Sequence, residues 1–531
     1  MFSRTGVNTL PLRSKTEFVP VELSLVDLLG RGYVDAVCAA RARLTGENAQ
    51  RLSEQAACPV DFYPRSMQRA MQALLPNVGS SWSKSARNTA LGAGSAGFEA
   101  NSKRSAAPLS GYGVYRIGED GRLYFLAKSE HYHAPLGHGF PGYQLVDQAR
   151  SLGIPNATHN NTRGHVTRTL EEELIRVAAG IEPGSRSAVR QHIASNRTTR
   201  PNRVLNLETG SLAAEAALKM ILSRFYKAQA DSPEPIYEGR VPVIVVIGDE
   251  EGGLQANYHG TTILTQCMRG MWGGLLDALE SQGALLVRSV RPNDIDELEA
   301  VFKVYDKKPY KIAGFFHELV LMNYGGKRLT HQFVRRAYSL CTKQDVPTVV
   351  DEIQSCVWSP RLFLFREYGV KPTFVAVGKG FPGGEYPASR ILFNSSFDCL
   401  PQFGALVTNG QEELASLSYL VTMRWAEANA GVTSDVGEYY EHGLKDLASR
   451  FNTVIASIEG RRHLAGVYFH DLDPARTFAE CLNKSGLDIS VQTYKAGCPP
   501  SALTKLPLTT THEMVDWILQ RMENALQSVA R

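Results

Sequence analysis

Residues 349–384 read VVDEIQSCVWSPRLFLFREYGVKPTFVAVGKGFPGG and place an acid and a lysine after two apolar runs. Asp351 ends the run VPTVVDEI (346–353), and Lys379 ends the run TFVAVGKG (373–380). If these runs are neighbouring parallel strands, both side chains lie at one edge of the sheet, where ligands bind. A lysine beside an apolar strand is costly unless it is paired or covalently modified.

Further apolar runs precede this segment and alternate with helical patterns. They are VPVIVVIGD (241–249), ALLVRSV (284–290) and KIAGFFHELVL (311–321), and helical spacing of apolar residues covers 293–304 and 330–343. Near-continuous Val and Ile runs joined by helices are typical of a parallel sheet that is covered on both faces. The sequence therefore predicts an α/β fold with a mostly parallel sheet.

A carboxylate and a lysine on adjacent strand ends suit pyridoxal phosphate, because the lysine forms a Schiff base and the acid keeps the pyridine nitrogen protonated. From this pair alone, a structural ion pair is an equal alternative. The segment LNLETGSLAAEAALKMILSRFY (205–226) favours the cofactor, since Gly210 and Ser211 begin an Ala-rich helix whose N–H groups can bind phosphate. Tyr258 follows a strand and could stack on a cofactor ring, although a lone Tyr more often belongs to the core.

Composition excludes several classes of protein. The 531 residues include 57 Lys plus Arg and 53 Asp plus Glu, and this small net charge of +4 argues against a dedicated nucleic-acid binder. No apolar run is long enough for a transmembrane helix. The eight cysteines show no CxxC spacing, which predicts reduced thiols in the cytoplasm. The alternative to a cytoplasmic location is an organelle, with a transit peptide within the first 18 residues.

Two other motifs resemble known binding motifs but lack the surrounding sequence that those sites need. The glycines of 92–97 match G-x-G-x-x-G, but no buried strand precedes them, so we interpret them as part of a linker. His131-Tyr132-His133 lacks a carboxylate or Cys partner at suitable spacing, so we interpret these residues as structural or substrate-pocket groups and expect no metal.

In their order along the chain, these segments resemble the class III aminotransferases of the fold type I pyridoxal-phosphate superfamily, from about Gly111 to Leu526. The motifs that carry the resemblance are Gly137-His138-Gly139, ETGSLAAEAALK (208–219), Tyr258-His259-Gly260, Glu318, GKGFPGG (378–384) and TNGQEELA (408–415).

The resemblance implies a role for each matching residue. Lys379 would be the Schiff-base lysine, Asp351 the acid at the pyridine nitrogen, and Gln354 the neighbour of the cofactor's 3-oxygen. Gly210 and Ser211 would bind the cofactor phosphate, Tyr258 would stack on the ring, and Glu318 would lie on the substrate side. Thr408 would reach the partner's phosphate in a homodimer with shared active sites.

Departures from the family pattern concern the substrate more than the cofactor. Glu208 and Leu212 replace the Asn and Glu of the phosphate loop, and Cys356–Arg361 replaces G-F-G-R-T-G. Leu503 stands near the expected α-carboxylate arginine, so we expect a donor whose amine is distant from any carboxylate, or which lacks one. Alternatively, Arg163 or Lys505 supplies the charge. His131, Tyr132 and His159 are further candidates for lining the substrate pocket.

The predicted organisation has four parts. Residues 1–105 form a partly helical N-terminal extension with a Gly/Ser-rich linker, and 166–415 form the large cofactor-binding domain. Residues 106–165, with a hairpin over 112–128, and 416–531 form the small α+β domain.

The implied function is transfer of an amino group between an amine or amino-acid donor and a keto-acid or aldehyde acceptor. Two alternatives stay open: an aminomutase or decarboxylase on the same fold, and a degenerate cofactor-binding protein with a scaffolding role.

Overall fold

A computed structural model describes residues 16–86, 89–90, 92–129, 133–156, 162–493 and 495–530. The strands are β1 Glu22–Leu23, β2 Val60–Asp61, β3 Pro108–Tyr112, β4 Tyr115–Gly118, β5 Leu123–Phe125, β6 Arg203–Leu207, β7 Val241–Ile247, β8 Leu286–Val290, β9 Tyr310–His317, β10 Val320–Leu321, β11 Lys327–Arg328, β12 Thr348–Asp351, β13 Phe374–Val377, β14 Ser389–Phe393, β15 Ile455–Arg461, β16 Leu464–Phe469, β17 Ser490–Gln492 and β18 Ser501–Lys505. The α-helices are Leu25–Leu29, Arg31–Thr45, Ala49–Ala56, Arg65–Leu74, Ala96–Glu99, Gln144–Ser151, His165–Ala179, Arg186–Ala194, Gly210–Leu222, Ile263–Cys267, Gly273–Ser281, Ile295–Tyr305, His331–Lys343, Phe365–Tyr368, Glu413–Ala428, Ala430–Arg450, Leu472–Lys484 and His512–Val529.

A seven-stranded sheet in the order β6-β14-β13-β12-β9-β7-β8 forms the centre of the molecule. The five strands from β13 to β8 run parallel to one another, and β14 runs antiparallel to both of its neighbours. The predicted α/β class with a mostly parallel sheet is therefore confirmed. The helical patterns predicted at 293–304 and 330–343 are helices that connect strands of this sheet.

The central sheet is buried on both faces, as continuous apolar strands require. Along β7, Ile244 and Val246 belong to one apolar cluster, whereas Val245 and Ile247 point to the opposite face and belong to another. The helix Gly210–Leu222 packs its alanines into the first cluster. Because both faces are covered, the edge at the carboxyl ends of the parallel strands is the open place for polar chemistry.

A second sheet, β15-β16-β18-β17, is antiparallel and lies in the C-terminal part. The hairpin predicted over 112–128 is present as β4 and β5. Phe125 N donates to Gly486 O over 2.8 Å, and Lys505 N donates to Ala127 O over 2.7 Å, so the hairpin joins the C-terminal sheet. The four-part division of the chain stays a prediction.

Residues 16–78 pack against the rest of the protein. Phe62 is fully buried and meets Phe140 edge to face, with ring centroids 6.2 Å apart. Tyr63 and Trp425 also pack edge to face, with ring centroids 6.3 Å apart. Val19 N donates a hydrogen bond to Asn429 Oδ1 over 2.8 Å. This segment therefore shares one apolar core with the C-terminal helices. By contrast, the described part of the glycine motif at 92–97 is exposed and lies outside the sheets.

Truncation of Phe62 tests this shared core. Phe62→Ala should lower the free energy of unfolding by about 3–5 kcal/mol, because it leaves a cavity beneath Phe140. Thermal and urea unfolding measure the loss. Leu44→Ala is the matched control, since Leu44 lies in the same segment but is 85% exposed, and it should change stability by less than about 0.5 kcal/mol. Equal effects of the two changes would contradict a shared core.

Candidate active site

Asp351 and Lys379 lie together at the carboxyl edge of the central sheet. Asp351 is the last residue of β12 and is in register with Ala376 of β13. β13 ends at Val377, so Lys379 lies in the turn that follows and not in the strand itself. A cavity of about 260 Å³ opens here, lined by His133, Glu208, Thr209, Gly210, Ser211, Tyr258, His259, Gly260, Glu318, Asp351, Ile353, Gln354, Lys379, Pro382, Tyr386, Pro387 and Ala388.

The turn holds Lys379 in an unusual backbone conformation. Its φ of +38° lies in the left-handed region, which non-glycine residues rarely adopt outside functional sites. The next residue, Gly380, packs so closely on the Trp358 indole that a Cβ there would lie 2.5 Å from the ring. Burial lowers the pKa of Lys379, while Glu318 and Asp351 partly oppose this shift. A larger fraction of the amine is therefore neutral and nucleophilic.

His259 fixes the orientation of Asp351. Its Nδ1 lies 3.0 Å from Asp351 Oδ2, and Ile353 N donates to Asp351 Oδ1 over 3.1 Å. His259 was missed as a functional residue in the sequence, although it sits within the Tyr258-His259-Gly260 motif. Its position next to Tyr258 is the only feature of the sequence that points to a role for His259. Nothing in the sequence shows that the imidazole faces Asp351, which lies 92 residues further along the chain.

The predicted phosphate loop forms a cradle at a helix N-terminus. The helix begins at Gly210 with Thr209 as its N-cap, and Thr261 N donates to Ser211 Oγ over 3.0 Å. Gly260 has a φ of +131°, and a Cβ there would lie 2.7 Å from Ser211 Cα. The two loops therefore approach each other closely, and the positive end of the helix dipole lies at this edge of the cavity. Glu208, at the rim, is the one acid beside this cradle among the described lining residues.

Glu318 follows β9 and is 3% exposed in the wall of the cavity. Burial, and then the Asp351 charge, raise the pKa of Glu318 well above its usual range, although three lysines oppose the shift. The raised pKa favours the neutral form of Glu318, which can donate as well as accept a hydrogen bond.

Three buried polar atoms of the cavity lack a hydrogen-bond partner among the described residues: His259 Nε2, Glu318 Oε2 and Gln354 Oε1. Buried polar groups are normally satisfied, so unpaired atoms that border one cavity indicate a polar ligand. A lysine, an acid held by histidine, an aromatic side chain and a helix N-terminus border the same space. These residues fit an aromatic cofactor that has a carbonyl, a ring nitrogen and a phosphate, as pyridoxal phosphate has.

Several predicted residues do not line this cavity. Arg163 pairs with Glu171, with Nε 2.7 Å from Oε1, and Leu503 is buried within β18. Lys505 is fully buried behind the cavity, where its Nζ donates to Gln354 O and lies 3.8 Å from the centroid of the Trp358 ring. Thr408 is exposed on a loop. His131, Tyr132 and His159 lie outside the described residues.

Other lining residues could not be found from the sequence. Pro382, Tyr386, Pro387 and Ala388 come from the segment between Lys379 and β14. These residues show no helical or strand periodicity, so their sequence does not place them. They lie beside Lys379 because the chain turns there and continues into the antiparallel strand β14.

The described part of the chain holds no group of three or more His, Cys, Asp or Glu residues that could bind a metal ion. Among the helices that the structure describes, none is both long and apolar enough to cross a membrane.

Known proteins resemble this chain in sequence and in fold. Ornithine aminotransferase of Bordetella pertussis is 24% identical over 430 residues, which are 78% of this chain and 90% of that protein. Diaminobutyrate–2-oxoglutarate transaminase of Streptomyces avermitilis is 28% identical over 207 residues, 38% of this chain and 48% of that protein. The crystal structure of ornithine aminotransferase from Toxoplasma gondii superposes with a TM-score of 0.63 at 20% identity, covering 80% of this chain and 91% of the other.

A second solved structure, adenosylmethionine-8-amino-7-oxononanoate aminotransferase from Methanocaldococcus jannaschii, also has a TM-score of 0.63, at 16% identity, and covers 83% of this chain and 97% of the other. The family model for "Aminotransferase class-III" matches residues 110–526. None of these matches supports the aminomutase, decarboxylase or scaffolding alternatives. The chain belongs to the class III aminotransferases and is a pyridoxal-phosphate-dependent aminotransferase.

Proposed function

We propose that Lys379 is the catalytic lysine, which holds the cofactor covalently through Nζ and moves the substrate proton. The observation that carries this proposal is the placement of Lys379 and Asp351 in one cavity, at the ends of two adjacent parallel strands. When bound, pyridoxal phosphate supplies an electron sink for the carbon that bears the amine. With its lowered pKa, the neutral Nζ of Lys379 can remove the proton from that carbon.

Each of the other cavity residues has a binding or orienting role in this proposal. Asp351, held by His259, would keep the pyridine nitrogen protonated, and the helix N-terminus at Gly210 and Ser211 would hold the phosphate. The family pattern assigns Tyr258 to stacking on the ring, Gln354 to its 3-oxygen and Glu318 to the substrate side. The unpaired polar atoms of Gln354 and Glu318 support the last two assignments.

The substrates are an amino donor and a carbonyl acceptor. We propose a donor whose reacting amine is distant from any carboxylate, or which has none. Leu503 supports this, because it is apolar and buried at the position expected for a carboxylate-binding arginine. Arg163 and Lys505 are the alternative sources of positive charge, but both bond other groups. Arg163 pairs with Glu171, and Lys505 donates to Gln354 O.

Replacing Lys379 tests the covalent attachment. Lys379→Ala should abolish both turnover and the cofactor adduct that borohydride reduces, because no other amine of the described residues lines the cavity. Mass spectrometry of the reduced protein locates the adduct. Lys303→Ala, an exposed lysine on the helix Ile295–Tyr305, should keep adduct and turnover. An adduct that persists in Lys379→Ala would show that another lysine holds the cofactor.

Asp351→Asn separates cofactor binding from catalysis. Loss of one charge-assisted hydrogen bond should weaken cofactor binding by about 1.5–3 kcal/mol, so the protein retains some cofactor. Activity should fall further, because negative charge develops in the ring during deprotonation. Cofactor titration and kcat measure the two effects. Unchanged turnover would exclude the proposed role of Asp351.

We also propose a homodimer with shared active sites. Five large apolar side chains that are exposed in the single chain support an interface, since exposed apolar surface can mark association sites. Ile263, Met271, Trp272, Leu275 and Phe403 are between 40% and 80% exposed. Thr408, at the family's interface position, is exposed on the same loop region as Phe403.

Subunit mixing tests the role of Thr408. A dimer of one Lys379→Ala and one Thr408→Ala subunit has one site with both defects and one site with neither, because a C2 interface repeats each contact. Mixing should therefore restore part of the wild-type activity, as measured against each parent alone. A monomer in sedimentation at working concentration would contradict the dimer.

We place the enzyme in a reducing, cytoplasmic compartment. All eight cysteines are free thiols, which supports this location.

A further inference from the structure

The loop 356–361, where the chain departs from the family pattern, packs on the turn that carries Lys379. The indole of Trp358 lies so close to Gly380 that a Cβ at position 380 would be 2.5 Å from Trp358 Cζ3. The three atoms that such a Cβ would meet first all belong to this ring. The edge of the indole therefore rests directly on the backbone of the residue that follows Lys379.

The same loop also contacts the residue before Lys379. Cys356 is fully buried, and its Sγ donates to Gly378 O over 3.5 Å. In the family pattern G-F-G-R-T-G, the positions of Cys356 and Trp358 are occupied by glycines, which have no side chain to make these contacts. The departure from the pattern thus adds two side chains that hold the backbone on both sides of the lysine.

Both segments that meet here have strained backbone. Val357 and Leu362 have φ values of +73° and +63°, in the left-handed region that β-branched and bulky residues rarely adopt. Val357 N donates to Leu362 O over 2.7 Å, which closes the loop. Lys379, with its φ of +38°, is the strained residue of the other segment. Strained backbone persists only where its surroundings fix it, and it clusters at functional sites. The contact between Trp358 and Gly380 joins the two segments.

The end of β18 fixes the indole of Trp358. Its Nε1 donates to Leu506 O over 2.9 Å, and the Nζ of Lys505 lies 3.8 Å from the centroid of the ring. Trp358 is 3% exposed. A hydrogen bond at the edge of the ring, a cation over its face and close packing together leave the indole little freedom to move. The indole is therefore a rigid support for the turn.

We propose that Trp358 is a positioning residue, which holds the turn at Lys379 so that Nζ points into the cavity. A buried ring that already touches the backbone leaves no space into which the turn could relax. Lys379 makes the covalent contact with the cofactor, and Trp358 acts through it. This inference rests on the proposed role of Lys379, and it gives the altered loop 356–361 a function in the reaction.

Reconstitution with pyridoxal phosphate tests the role of Trp358. Trp358→Phe removes the bond to Leu506 O and part of the ring surface on Gly380. At saturating cofactor it should slow formation of the borohydride-reducible adduct by about tenfold to a hundredfold, because Nζ is less often in attacking geometry. Trp425→Phe is the matched control, since it also replaces a fully buried indole but lies in the helix Glu413–Ala428. The control should form the adduct at the wild-type rate.

A pH titration of the holoenzyme gives a second readout that needs no turnover. The absorbance of the adduct reports protonation of the Lys379 nitrogen, and burial lowers the pKa of this lysine. A looser turn admits water, which favours the charged form, so Trp358→Phe should raise the midpoint by about 0.5–1 pH unit. Trp425→Phe should leave the midpoint unchanged. Both variants keep the acidic groups that act on the charge of the lysine: Asp351, Glu318 and Cys356.

Gly380→Ala tests the same contact without changing the indole. The φ of Gly380 lies outside the left-handed region, so the added Cβ meets only the crowding of Trp358. Gly380→Ala alone should slow adduct formation. In a Trp358→Phe background its effect should be smaller by about threefold or more, because the smaller ring opposes the Cβ less. Independent effects of the two changes would contradict a role of this contact.

The outcomes separate this inference from the proposed function. Circular dichroism and cofactor content show which variants are folded and loaded. A folded Trp358→Phe protein with the wild-type rate and an unchanged midpoint would overturn the positioning role and leave the role of Lys379 intact. If Trp358→Phe does not fold, Gly380→Ala decides by the same two measurements. A wild-type protein that forms no reducible adduct on Lys379 would overturn the proposed function instead.

Discussion

The candidate active site depends on two ionisable side chains of opposite charge type, Asp351 and Lys379, at the buried edge of a parallel sheet. An isolated charge in such a place is costly, so each needs compensating partners. Asp351 has His259 Nδ1 and the backbone N–H of Ile353. Lys379 is held in a left-handed turn, with Glu318 and Asp351 opposing the loss of its proton. Parallel pairing of β12 and β13 makes this possible, because it brings the end of β12 at Asp351 and the end of β13 at Val377 to one edge of the sheet.

Burial shifts the pKa values of the ionisable side chains around this pair in different directions. It raises the pKa of Glu318 well above the usual range, with a further contribution from the Asp351 charge, and so favours the neutral form of Glu318. Lys505 is stacked on Trp358 and bonded to Gln354 O, so it serves as packing behind the cofactor site. Arg269 places its guanidinium carbon 5.0 Å from the centroid of the Tyr258 ring, which forms part of the cavity wall.

The N-terminal segment lies outside the family match at 110–526, yet its packing reaches the active-site turn. Phe62 packs on Phe140 and on Gly142, and the neighbouring Tyr143 places its hydroxyl against Gly383 in the turn after Lys379. Tyr143 also bonds Thr422 over 2.7 Å, within the helix Glu413–Ala428. The segment outside the family match is therefore connected by close packing to the turn that follows Lys379.

The sequence alone determined the α/β class, the order of the strands along the chain and the placement of Asp351 and Lys379 after adjacent strands, because continuous apolar runs and their flanking polar residues are local signals. It could not show that Arg163 turns to Glu171, that Lys505 is buried behind Gln354, or that His259 faces Asp351. Those contacts join residues that are distant in the chain, and side-chain direction there depends on packing. Only the tertiary structure placed the Arg269 guanidinium against the Tyr258 ring, since Arg269 belongs to no pattern that a periodicity or a motif would reveal.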